Sequence, residues 1–200
     1  ASSPYTRGVC SPTSTPPPAA PLGDPSGDAS SMLRFVDEEF LEFLKTRYPE
    51  TVSAEGRRLL GFHDAENQRF DTVIQGRASY QIALDVNITS PYAHLRELVA
   101  SRSLERSPDP NVELVSGDVA ARVRELKAEE SGLGIWLCGG SQLAGELIDE
   151  IDELVIKTYP LVYGSGMPMF RSAFAATEFA LDSVRVFDNG ALVRTYSRKR

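Results

Sequence analysis

The most constraining stretch of the chain is Ile135-Trp136-Leu137-Cys138-Gly139-Gly140-Ser141. Four apolar residues running straight into a glycine pair predict a strand buried on both faces that stops abruptly. Ser141 is then placed to cap a helix over Gln142–Ile148, whose Leu143, Leu147 and Ile148 share one face. A second apolar run, Glu153-Leu154-Val155-Ile156, predicts the closing strand of a strand–helix–strand unit of the parallel kind. Glycines between a buried strand and a helix start let backbone N–H groups approach an anion closely. The helix N-terminus offers that anion partial positive charge. The expectation is a phosphate cradle on Gly139, Gly140, Ser141, Gln142 and Leu143.

Two further stretches speak to the same chemistry. Phe70-Asp71-Thr72-Val73-Ile74-Gln75 reads as a strand and runs into Gly76-Arg77-Ala78-Ser79-Tyr80. A cationic Arg77 at a helix start opposes the dipole unless an anion sits there; the alternative is a solvated arginine after an ordinary turn. After a strand-like stretch from Leu95 to Ala100 comes Ser101-Arg102-Ser103, with Arg106 just beyond. An arginine fork flanked by hydroxyls suits a phosphate monoester, although such a stretch standing alone is more often a polar surface loop.

The remaining chain supplies a frame. Residues 1–31 hold more than half of the 13 prolines and almost no large apolar residue, which predicts disorder; residues 32–200 form the single domain. Residues 37–48 carry Phe40, Phe43 and Leu44 at helical spacing, and the helix ends at Pro49. The acids at 37–39 are read as dipole complements rather than as a substrate-side acid. Val112–Val115 is a strand, and Asp118 caps a helix through Glu130 that buries Val119, Val123 and Leu126 and stops at Gly132. Asp188-Asn189-Gly190 joins a C-terminal hairpin, 178–187 with 191–196. His94 is read as exposed and Arg198-Lys199-Arg200 as a solvated tail.

In combination, these residues resemble the dihydrofolate-reductase-like superfamily. The resemblance rests on the Gly139-Gly140-x-x-Leu143 turn, Ile151-Asp152-Glu153-Leu154, Pro160-Leu161-Val162-Tyr163-Gly164-Ser165-Gly166 and Pro168-Met169-Phe170, in that order. It is closest to the C-terminal reductase domain of the bifunctional deaminase-reductase of riboflavin biosynthesis and its stand-alone bacterial relatives, and covers roughly residues 32–198. The fold it implies is α/β, with a twisted, mostly parallel central sheet flanked by helices and finished by an antiparallel hairpin. The activity it implies is NADPH-dependent reduction of a small heterocycle, at family level the phosphoribosylamino-uracil of riboflavin biosynthesis, by a cytoplasmic homodimer. Gly76, Arg77, Ser79 and the glycine pair would hold the cofactor phosphates, Ser101 and Arg102 the 2′-phosphate, and residues 160–170 would lie near the nicotinamide. Two departures stand out. No Ser-Leu-Asp-Gly-like turn after a buried first strand occurs in residues 1–31, and Cys138 stands where riboflavin-pathway reductases carry a glutamate against the substrate.

Other chemistries fall away. A net charge of −7 disfavours nucleic-acid and anionic-membrane surfaces, and no apolar run reaches membrane-spanning length. Two histidines and two cysteines give neither zinc spacing nor a disulfide framework, and a reducing compartment is the simplest setting. The glycines form no Walker or Gly-x-Gly-x-x-Gly pattern. A non-catalytic nucleotide-binding or dimeric scaffold protein stands as the second reading.

Overall fold

Segments apolar on both faces form the inner strands of a parallel sheet, and segments apolar on one face form what covers it. The computed structural model describes residues 7–8, 30–129, 132–164, 166–173 and 175–199. In chain order the elements are β1 (Arg7–Gly8), α1 (Ser30–Leu33), α2 (Glu38–Arg47), α3 (Ala54–Leu59), β2 (Phe70–Gly76), α4 (Arg77–Leu84) and β3 (Arg96–Ala100). There follow β4 (Val112–Val115), α5 (Val119–Ala128), β5 (Gly134–Leu137), α6 (Ser141–Glu146), β6 (Glu153–Thr158), β7 (Phe179–Val186) and β8 (Leu192–Arg198). The expected disorder of residues 1–31 is corrected at Arg7–Gly8, which pair with β6, and at Ser30–Ser31, which open α1; the rest of that segment lies outside the described residues.

The parallel sheet has the order β4-β3-β2-β5, with Ile74 level with Leu98 and Leu137. Ile74 and Leu98 point to the side of α5 and α6, where they meet Val123, Leu126, Leu143 and Leu147. Val73 and Val99 point the other way, to Trp136, Tyr92 and the α4 residue Tyr80. Each such fully buried apolar side chain contributes about 1.5–3 kcal/mol relative to exposure. Helix α5 starts where the sequence places it, and α2 starts one residue later than expected because Asp37, read as a dipole complement, is its N-cap. Asp37 Oδ1 accepts from Phe40 N at 3.0 Å and Asp118 Oδ1 from Ala121 N at 2.9 Å. The α5 helix ends at Ala128, short of the expected Glu130, and Gly132 follows at φ 84°.

The second sheet has the order β1-β6-β8-β7 and is antiparallel throughout. The expected hairpin is β7–β8, turning through Gly190 at φ 84°. Helix α2 covers this sheet, with Phe40 and Leu44 against Val155, Phe187 and Val193. Here the strand–helix–strand expectation is corrected: β5 and β6 do not share a parallel sheet but border different ones. Among the described residues no strand lies between them, so the helix that links them crosses a gap. Arg69 ties the two sheets at one end of it, with one guanidinium nitrogen 2.7 and 2.9 Å from the two Glu153 oxygens. The tail reading is corrected as well. Arg198 is a strand residue whose guanidinium donates to the carbonyls of Ile148 and Ile151, satisfying the turn after α6.

Two buried acids, Glu50 and Glu97, had no counterpart among the sequence expectations. Glu97, in the middle of β3 and 1% exposed, accepts from Ser90 Oγ and from Tyr92 N at 3.0 Å through one oxygen. Its other oxygen is buried without a partner. Burial pushes its pKa from 4.5 to about 7, against the pull of those two hydrogen bonds. The folded state therefore holds the proton more tightly than the unfolded chain. Stability is full below the unfolded pKa and declines as pH rises from about 4.5 to about 7, by on the order of 3 kcal/mol. Urea unfolding at pH about 5 and about 8 should show this loss, and Glu97→Gln should remove most of it; an unchanged pH slope in the variant would assign the loss to other groups.

Candidate functional site

Strands β2 and β5 are neighbours and parallel, so the turns that leave them lie at the same edge of the sheet. This is where open α/β sheets bind ligands. The two turns touch. A Cβ on Gly76 would lie 3.8 Å from Leu143 Cβ and 3.9 Å from the Gly139 carbonyl oxygen; one on Gly140 would lie 3.9 Å from both Leu143 Cβ and Ser79 Oγ. The structure thus brings Gly76, Ser79, Gly139, Gly140 and Leu143 together, along with the first residues of α4 and α6.

Gly139 and Gly140 adopt φ values of 68° and 94°, a region that disfavours any side chain. The chain therefore reverses at the glycines themselves, and the capping expectation for Ser141 is corrected. Gly140 occupies the N-cap and Ser141 is the first helical residue, with no side-chain capping bond. The helix also stops at Glu146 rather than Ile148. Gln142 is exposed, whereas Leu143 is buried beneath the two turns. Arg77, half-buried at the first position of α4, has no ion-pair partner among the described residues.

Ser101 and Arg102 follow β3, one strand further over, since Ala100 is level with Gly76. Ser101 is buried, and its Oγ accepts from Ser103 N at 3.3 Å and Leu104 N at 2.9 Å, holding the turn. Arg102 projects into solvent with its side chain 74% exposed and lies 3.4 Å from Glu146 at the end of α6. His94 is corrected from exposed to half-buried; its Nε2 lies 2.9 Å from the Glu50 carbonyl, and burial lowers its pKa. Cys138 is buried with Sγ 3.6 Å from Tyr92 Oη, packed on the Trp136 side of the sheet.

A cavity of about 840 Å³ opens from the glycine turns along the free edge of β5. Trp136, Met167, Met169 and Phe170 line it, as do Ala78 and Ser79 of α4. Of the 160–170 loop, Met167 to Phe170 are the described residues that reach the cavity, and sequence reasoning missed Trp136 as a lining residue, since an aromatic in a buried strand reads as core. The loop is seated by a close approach: Arg171 N donates to the Ser141 carbonyl at 2.8 Å, and a Cβ on Gly145 would lie 2.1 Å from the Arg171 carbonyl oxygen. Among the described residues no cluster of three or more metal-ligating side chains occurs, and no helix is long and apolar enough to cross a membrane.

Comparison with known proteins adds the following. The sequence model of the RibD C-terminal domain matches residues 62–193. The uncharacterized protein YwjB of Bacillus subtilis (strain 168) is 32% identical over 122 residues, 60% of this chain and 70% of that protein. YyaP of the same strain, also uncharacterized, is 25% identical over 150 residues, 68% and 78% of the two chains. A crystal structure from Shewanella sp. PV-4, named for riboflavin biosynthesis, superposes with a TM-score of 0.56 at 26% identity over 66% of this chain and 76% of its own.

The loop contact gives a test of how the cavity wall is held. Gly145→Ala forces the Arg171 backbone away from α6, at a cost of about 1–3 kcal/mol. A fall in Tm of several degrees with faster proteolysis near residue 171 is expected; an unchanged Tm would show that the loop does not depend on this approach.

Proposed function

The chain belongs to the RibD C-terminal domain family, and on that premise we propose that it is an NADPH-dependent reductase of a small pyrimidine- or pterin-like heterocycle. The observation that supports this most is the meeting of the β2–α4 and β5–α6 turns at Gly76, Ser79, Gly139 and Gly140. Two helix starts, two adjacent positive-φ glycines and Arg77, which has no ion-pair partner among the described residues, fit a pyrophosphate better than they fit solvent. Bound there, NADPH would supply the hydride. The chain's own work is to grip the phosphates, orient the nicotinamide toward the cavity and keep water out with Trp136, Met169 and Phe170.

Arg102 is the candidate reader of the 2′-phosphate, held out at the end of β3 by the buried Ser101. Glu146 would have to yield it, so the gain is at the low end for a charged hydrogen bond. Cys138 lies against Tyr92 rather than facing the cavity, which argues for a substrate recognised without a carboxylate at this position and so against the riboflavin-pathway phosphoribosylamino-uracil. Apolar Leu181, Val184 and Val186, exposed on the edge strand β7, support a homodimer. The burial of Cys138 suits a reducing cytoplasm.

Fluorescence titration with both cofactors tests the assignment. Arg102→Ala should weaken NADPH by about tenfold and leave NADH nearly unchanged, with the difference shrinking as salt rises. Arg77→Ala should weaken both alike, because both carry the pyrophosphate. Equal losses in Arg102→Ala would remove it as the discriminating residue. NADPH oxidation with a pyrimidine and pterin panel then separates reductase from binding protein.

A further inference from the structure

The cavity beside the glycine turns carries charged side chains in its wall but has none to spare for a ligand. Two cations line it, Arg69 and Lys127, and four carboxylates, those of Glu129, Glu150, Asp152 and Glu153. Each is already paired within the chain. Arg69 lies 2.7 Å from Glu153 and Lys127 2.6 Å from Asp152. From outside the lining, Arg124 lies 2.7 Å from Glu150 and Arg96 2.7 Å from Glu129. The two arginines assigned to the cofactor phosphates, Arg77 and Arg102, are not lining residues. The rest of the wall is mainly apolar. Met167 and Leu133 are exposed in it, so a ligand that covers them takes apolar surface out of water. Met169, Phe170 and Trp136 add a flexible thioether and ring faces, which suit a flat aromatic. A volume of about 840 Å³ is enough to enclose a drug-sized molecule.

We propose that this cavity binds an uncharged aromatic ring system and rejects the same ring when it carries a phosphate, carboxylate or sulfonate. An anionic group that drew Arg69 or Lys127 to itself would release Glu153 or Asp152 beside it, and the freed carboxylate would repel it. An anionic group left without a partner would lose its hydration against an apolar wall. An ammonium meets the same obstacle with the signs reversed. A neutral ring meets neither cost, and its burial is favourable in proportion to the apolar area covered. Charge is thus read at the turns, by Arg77 and the helix starts, and ring shape in the cavity. That the bound ring is the substrate rests on the reductase reading; that the cavity binds it does not.

Two dyes of one skeleton test this on the full chain without cofactor: N-phenyl-1-naphthylamine, which is uncharged, and 8-anilinonaphthalene-1-sulfonate, which adds a sulfonate. Trp136 is the chain's one tryptophan and lines the cavity, so dye emission excited through it reports binding. The uncharged dye should bind at least about tenfold more tightly than the sulfonate. Met169→Asp, which puts a charge on the cavity wall, should weaken the uncharged dye by about tenfold. Glu153→Gln, which frees Arg69, should strengthen the sulfonate by about tenfold and leave the uncharged dye unchanged. Asp152→Asn should act in the same direction through Lys127, less strongly because Glu150 lies 3.9 Å away, and it stands in if Glu153→Gln lowers Tm. Equal affinities for the two dyes would overturn the proposal. So would a sulfonate affinity that neither variant raises, an uncharged dye indifferent to Met169→Asp, or no energy transfer from Trp136. Titration with NADPH is read separately: a chain that does not bind it but keeps the dye preference loses the reductase reading and keeps this one.

Discussion

The site depends on the parallel pairing of β2 with β5. Their ladder sets Val73 level with Trp136 and Ile74 level with Leu137, and it ends with Cys138 N donating to the Ile74 carbonyl. Because both strands run the same way, both exits lie at one edge, and the glycine turn after β5 comes to rest on the turn after β2. A slip of one residue would carry Trp136 to the α5–α6 side and Leu137 to the α4 side, exchanging a large aromatic for a leucine in two packed clusters. Packing on both faces therefore fixes the position of the cradle, and the cradle itself needs little side-chain chemistry.

The second sheet is joined to the first by fewer and more polar contacts. Arg69 with Glu153, and Lys127 with Asp152 at 2.6 Å, span from the parallel sheet and its helix to the start of β6. Partly exposed pairs of this kind contribute about 0–1 kcal/mol each. Arg198 adds hydrogen bonds to the carbonyls after α6, and the Arg171 segment seats on Gly145. The apolar cores on the two sides are separate clusters, one around α2 and the others around the parallel sheet. The cavity lies between them, lined by Leu126 and Leu147 of one cluster, Trp136 of another and Val155 of the third.

Individual elements were legible because their signals are local. Asp118 announces a helix start by a hydrogen bond three residues ahead, and Gly190 announces a turn by a backbone region it enters without strain. Misreadings came where a local signal was shared by two outcomes. Ser141 is a good capping residue, yet the adjacent Gly140 turns the chain first and takes the cap. Arg198 near a chain end reads as solvated until the strand it belongs to brings it under the carbonyls of Ile148 and Ile151. Glu97 left a faint signal, a carboxylate between Arg96 and Leu98 in an otherwise apolar run, and only its neighbours on the folded sheet explain how its burial is tolerated.

By itself the sequence determined strands β2 to β8, the start of α5, the C-terminal hairpin and the pair of glycines that turns β5 into α6. Each of these follows from periodicity or from the backbone freedom of residues close together in the chain. Only the tertiary structure decided that β5 and β6 would border different sheets, that Gly76 and Gly140 would share Leu143 as a neighbour, and that a cavity would open between the sheets. Those outcomes rest on which strand edges find partners. An edge is paired or unpaired according to hydrogen bonds between residues far apart in sequence, and the alternation of side chains along one strand carries no record of them.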